Sequence, residues 1–165
     1  MGPRDFLLAE FDQEIAATRG LLVRLPEAAM AWRPHARSAS LGGLADHFCH
    51  LMTWGVVILE REREELADAP PDPADPPVKS EVVERFDRLS AEVRRRLVSL
   101  VDAQCLEVWT LLRGTQAVMS LPRATAFRRF FLYHLVHHRG QLSVYLRLCD
   151  VPLPPLYGPT ADEPS

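Results

Sequence analysis

The sequence predicts an all-α fold, a four-helix bundle with a small hairpin or irregular insertion before the last helix. Three observations carry that expectation. Four long stretches repeat apolar side chains at helical spacing. Proline-rich breaks separate or follow them, at Pro26, at residues 70–77 and from Val151 onward. Between the third and fourth stretches the helical period lapses into two short apolar runs around a glycine. Long amphipathic helices bury their stripes most simply against one another, which is a bundle.

The first helix is expected from about Asp5 to Leu25, with Leu7, Phe11, Ile15, Leu22 and Leu25 on its stripe and Pro26 as the stop. The loop Trp32-Arg33-Pro34-His35-Ala36-Arg37-Ser38 follows. Ser40 is a suitable N-cap for the second helix, expected to reach about Ala67 with Leu44, His47, Leu51, Trp54 and Ile58 on one face. The prolines of 70–77 remove hydrogen-bond donors and make a stiff connector. The third helix is read over Lys79 to Ala103, because Val82, Phe86, Leu89, Val93, Leu97 and Leu100 recur in steps of three and four. Val108–Leu111 and Ala117–Met119 flank Arg113-Gly114-Thr115 as a small hairpin. The last helix runs from about Arg123 to Cys149, ahead of a proline-rich tail over 151–165. Nothing repeats at a solenoid period, and one domain over 1–165 is expected. The connectors are long enough that simple up-down-up-down order is not required.

Composition narrows the function. The apolar and charged fractions, 47% and 25%, are those of an ordinary globule. A net charge of −3 provides no basic field for nucleic acid. Eighteen arginines against a single lysine, Lys79, suggest phosphate recognition at first sight. They alternate with acidic residues, as in Glu60-Arg61-Glu62-Arg63-Glu64-Glu65, and read as solvated helix faces with i,i+4 pairs. Cys49, Cys105 and Cys149 are odd in number and widely spaced, so no disulfide framework or Cys-x-x-Cys site is expected. The N-terminal residues do not read as a signal peptide, and no apolar run is long enough to span a bilayer. A cytoplasmic protein with no membrane partner is the expectation.

Five of the six histidines fall in two short windows, Asp46-His47-Phe48-Cys49-His50 and His134-Leu135-Val136-His137-His138. Phe127, Phe131, His134, His138, Gln141 and Tyr145 share one stripe, so His134 and His138, one turn apart, point toward the core. Buried imidazoles need partners, and His47 is inward on the second helix by the same count. The three form a metal-ligand set with at least one open position, the mark of catalytic rather than structural sites. A satisfied core histidine is the ordinary alternative for each. His50 is a weaker candidate, His137 is rotated outward, and His35 lies in a loop. Gln141 and Tyr145 are candidates for groups behind the ligands. Gly140, inside the helix, suggests close helix–helix approach within or between chains. Gly-x-Ser-x-Gly, P-loop and dinucleotide-binding signatures are absent, and Cys49 lies on a different helical face from His47.

Two segments resemble the DinB/YfiT-like family: Trp32-Arg33-Pro34-His35 with Ser40–His47, and His134–Leu142 with its His-Arg-Gly-Gln-Leu ending. The tail Pro152–Glu163 is also similar to that of many such chains. The resemblance covers nearly the whole chain. It implies a four-helix bundle of unusual connectivity, a homodimer, and one divalent metal held at the positions of His47, His134 and His138. Zinc or nickel comes first as that metal, with iron or manganese next. Characterised relatives include thiol-dependent transferases using bacillithiol or mycothiol and a mycothiol-dependent isomerase, whereas many members have no known activity. The expected function is therefore a metal-dependent transfer of a low-molecular-weight thiol to a small-molecule substrate. A metal-dependent hydrolase and a non-catalytic, stress-related metal-binding protein are the alternatives.

Overall fold

The structure, a computed structural model, describes residues 2–68 and 72–163. Pro70 and Pro71 of the proline connector, and Pro164 and Ser165 of the tail, lie outside the described residues. The element order is α1 (Pro3–Leu22), α2 (Leu41–Glu60), β1 (Arg63–Glu65), α3 (Lys79–Ser99), α4 (Asp102–Leu106), β2 (Val108–Arg113), β3 (Gln116–Pro122), α5 (Arg123–Ala126) and α6 (Tyr133–Leu148). A π-helical turn, Phe127–Leu132, joins α5 to α6, so the three form one last helix.

The stripes read from the sequence meet in one core. Leu7 and Phe11 of α1, Phe48 and Met52 of α2, and Phe86 and Val93 of α3 are buried with Phe127 and Phe131 of the last helix. The Phe127 and Phe131 rings lie 4.8 Å apart, and Phe11 is 6.4 and 6.2 Å from them. α3 packs against both α1 and α2, and α6 packs against the same two from the other side. The consecutive helices α1 and α2 thus sit diagonally across the bundle, which the long connectors permit.

Three helices end earlier than the sequence reading places them, α1 at Leu22 rather than Leu25 because the chain leaves the helix ahead of Pro26. α2 stops at Glu60, not Ala67, because Arg61 turns extended (φ −102°, ψ 162°) and Arg63–Glu65 pair in parallel with Thr110–Leu112. That charged run has no apolar stripe to hold it against the bundle, so strand pairing prevails. α3 stops at Ser99, not Ala103, because Leu100 is extended (ψ 138°) and buries its side chain ahead of the short α4. The hairpin forms where alternation places it. Val108–Arg113 pair antiparallel with Gln116–Pro122, and Gly114 takes the positive φ of 59° that a side chain would resist. Trp109 and Leu111 face inward from β2 and are buried, whereas β3 is largely exposed.

Two arginines depart from the solvated faces expected of them. Arg123 is 5% exposed and donates to the carbonyls of Ile58 (2.5 Å) and Arg61 (2.6 Å). The cation thereby satisfies the last turn of α2. Arg139 is 1% exposed and pairs with Glu14 of α1 at 2.5 Å. Tyr157 of the tail donates to the same Glu14 carboxylate at 2.8 Å and lays its ring 4.9 Å from the Arg139 guanidinium. Other arginines do pair on the surface, Arg96 with Glu92 one turn away and Arg94 with Asp12 between helices. Among the described residues no helix is long and apolar enough to cross a membrane.

Candidate metal centre

The packing of α6 on α2 brings the two histidine windows together. Ser40 caps α2 by accepting the Gly43 N–H at 2.9 Å, and His47 stands two turns further along. His134 and His138 are one turn apart on α6, just after the π turn. Their ring centroids are 4.6 Å apart, and His47 lies 5.3 Å from His134 and 4.5 Å from His138. One nitrogen from each of the three lies within 4.8 Å of the other two, so the group could hold a metal ion.

The electrostatics suit a cation. Burial, then the neighbouring His138, His134 and His50 rings, lower the His47 pKa to about 4. Burial, then His138 and His137, lower His134 to about 4. His138 is also lowered, mainly by burial. At neutral pH all three imidazoles are uncharged, the form that offers a lone pair. His47 Nε2 is buried and has no hydrogen-bond partner among the described residues. A ring nitrogen left in that state costs free energy that a divalent ion would recover. His138 Nδ1 meets Gln141 Oε1 at 2.7 Å, and with the Nδ1–H donating, Nε2 is left as the ligand atom. π turns recur at functional sites because their extra residue re-aims the side chains beyond them. The donor set could therefore hold one metal ion.

Beside the histidines lies a cleft of about 520 Å³. Leu44, Gln141 and Tyr145 extend its helical walls, and the loops carrying Arg37–Ala39 and Asp72–Pro73 form its other side. Asp46 lines it but pairs with Arg85. Asp72 comes from the proline connector and sits on the start of α2. It accepts from Ser40 N (3.1 Å), Ser40 Oγ (3.0 Å) and Arg33 Nη2 (2.9 Å). Gly43 leaves room for it, since a Cβ there would strike the Asp72 carboxylate.

The sequence profile of the DinB superfamily matches residues 10–142, a span holding both histidine windows. The chain belongs to the DinB superfamily. No curated protein matches it. Among solved structures it is similar to a DinB-like protein from Bacillus cereus, at 18% identity and a TM-score of 0.70, over 92% of this chain and 95% of that one. It is likewise similar to the DinB-like protein YjoA from Bacillus subtilis, at 15% identity and a TM-score of 0.69, over 92% of this chain and 96% of that one. These likenesses establish the fold.

In this DinB chain the other histidines stand apart from the cluster. His50 is 5.9 Å from the His47 ring, but its Nε2 accepts from Trp54 at 3.2 Å and it faces a different groove. His137 is exposed beside His138. His35 lies in an exposed turn, where its Nδ1 accepts the Arg37 N–H at 3.1 Å. Tyr145 lines the cleft, donates to Ala39 O at 3.4 Å and stands edge-on to Trp32 at 5.7 Å. Cys49 is buried with its thiol on the Val82 carbonyl, and burial pushes its pKa up to about 12. Arg37 and Asp72 are not legible in the sequence as site residues, since each lies in an irregular loop with no periodicity to aim it.

Proposed function

We propose that this protein is a metal-dependent enzyme in which His47, His134 and His138 hold one divalent ion and a low-molecular-weight thiol reacts with a small-molecule electrophile. The observation that carries the reading is the buried, unpartnered His47 Nε2, converging with the His134 and His138 imidazoles, the latter anchored on its outer side by Gln141. A divalent ion at such a site lowers the pKa of a thiol or water reaching its open position. Gln141 keeps the His138 ring oriented toward that site. Leu44 and Tyr145 give the cleft apolar walls that exclude water from the reacting groups.

Two features favour a thiol over hydrolysis. Among the described residues no cysteine lines the cleft, and the nearby Cys49 is held as a neutral thiol, so a sulfur nucleophile would come from outside. Hydrolysis needs a base to manage the proton of water. Asp46 and Asp72 are already engaged by Arg85, Arg33 and Ser40, and His50 lies outside the cleft. In transfer, the carbon–sulfur bond forms as chloride departs from a chlorinated carbon with its electron pair, or as an epoxide carbon–oxygen bond breaks and the retained oxygen takes up a proton, and the S–H proton passes to solvent.

Elemental analysis of untagged protein beside His47→Ala and His134→Ala tests the metal. One divalent ion per chain, lost in both variants, is expected. Loaded protein is then given thiols with chlorinated aromatics and epoxides, and metal-dependent thioether formation is the expected product. Ester or amide cleavage without thiol would favour the hydrolase instead. A large metal-induced rise in melting temperature with every reaction blank would favour a metal that serves only the bundle.

A further inference from the structure

The charges around the cleft do not balance. Asp46 is neutralised by Arg85. Asp72 is neutralised by Arg33 and held by Ser40. Arg37 also lines the cleft, yet it makes no ion pair among the described residues. Its loop is nonetheless ordered by hydrogen bonds on either side. The Arg37 N–H donates to His35 Nδ1 at 3.1 Å, and the Ser38 N–H donates to the His35 carbonyl at 2.9 Å. Arg33 Nη1 donates to the Ser38 carbonyl at 3.5 Å. With both carboxylates of the cleft already paired, Arg37 is its one uncompensated charged side chain among the described residues.

We infer that this cleft takes a ligand carrying a carboxylate, and that Arg37 is the residue that pairs with it. A guanidinium matches the planar carboxylate through two parallel N–H donors. Phosphate binding would ordinarily recruit a helix N-terminus as well. The one beside this cleft, at the start of α2, is occupied by Asp72. A single arginine therefore favours a singly charged group. The cleft, about 520 Å³, has the size of small-molecule sites. The inference deepens the reading of the histidine cluster as a reaction site, because it gives the thiol or its partner a carboxylate at the mouth.

Calorimetry with mercaptopropionate and mercaptohexanoate, each against the mercapto-alcohol of the same length, tests the pairing. Wild type, Arg37→Gln and Arg37→Lys are compared in metal-free and zinc-loaded states. At least one acid is expected to bind wild type about fivefold more tightly than its alcohol, in one state or both. Arg37→Gln should bring that ratio to about one, Arg37→Lys should recover part of it, and added salt should shrink it in wild type. Zinc content and melting temperature of Arg37→Gln should match wild type. A wild-type ratio near one in both states overturns the inference, as does a preference that survives Arg37→Gln. A chain that takes no zinc defeats the metal reading, and the metal-free arm still decides the role of Arg37.

Discussion

Replacing Gln141 by leucine separates a tuned ligand from an ordinary surface contact. Its Oε1 lies 2.7 Å from His138 Nδ1, and the side chain is exposed. As an acceptor it fixes the ring's tautomer and adds electron density to Nε2, the atom aimed at the cluster. Groups in this position change metal affinity by about 10- to 100-fold. Exposure puts Gln141→Leu at the lower end, a loss of about tenfold, or about 1.4 kcal/mol of binding free energy. Gln141→Glu should bind zinc more tightly than wild type, because a carboxylate accepts the Nδ1–H more strongly. Competition with a chromophoric chelator at neutral pH reads both affinities. Urea unfolding of the metal-free variants should stay within about 0.5 kcal/mol of wild type, as for surface substitutions generally. Equal zinc affinity in wild type, leucine and glutamate variants would refute the argument, because the hydrogen bond would then have no bearing on the ligand.

The metal-free protein should lose stability as pH falls through the range from about 6.5 to about 4, since His47 and His134 keep pKa values of about 4 when folded. Unfolded histidines titrate near about 6.5, so the unfolded chain takes up protons that the folded one refuses, and above that range the contribution is constant. Urea midpoints across pH for wild type and a His47→Ala/His134→Ala double variant check this, and identical pH slopes would refute it. Glu14→Gln should destabilise by about 3 kcal/mol, because Arg139, 1% exposed, would lose its counter-ion. A change within about 0.5 kcal/mol would show the pair to be dispensable. Gly140→Ala should stabilise by up to about 1 kcal/mol, because a Cβ there meets open space. Within the chain that glycine permits no close helix approach, so a destabilised variant with an altered sedimentation profile would place it between two copies.

Much of the bundle was legible because burial imposes periodicity. Phe86, Val93 and Leu97 recur at helical steps, and the structure buries all three. Asn or Asp was not needed at the hairpin tip, since Gly114 between two alternating runs marks the turn by itself. Long-range pairing was not legible. Arg63–Glu65 look like the solvated end of a helix, and only β2, more than forty residues away, makes them a strand. The π turn was equally hidden, because nothing in the residues Phe127–Leu132 marks the extra residue that rotates α6 beyond it.

The same limit applies within the His138-Arg139-Gly140-Gln141 motif, which reads as one unit but divides between two faces of the helix. His138 and Gln141 line the cleft, whereas Arg139, rotated by about 100° per residue, passes to the other side and meets Glu14. The partners Glu14 and Tyr157 lie on α1 and in the tail, so no local pattern could have marked Arg139 as buried. Their contact has a consequence for the histidines. A helix held by one buried ion pair on its far face cannot rotate without breaking that pair, and the rotation of α6 determines where His134 and His138 point. Apolar stripes alone tolerate small rotations, because one leucine replaces another in the groove. The Arg139–Glu14 pair is directional, and it therefore fixes the angle at which α6 presents its two imidazoles to His47.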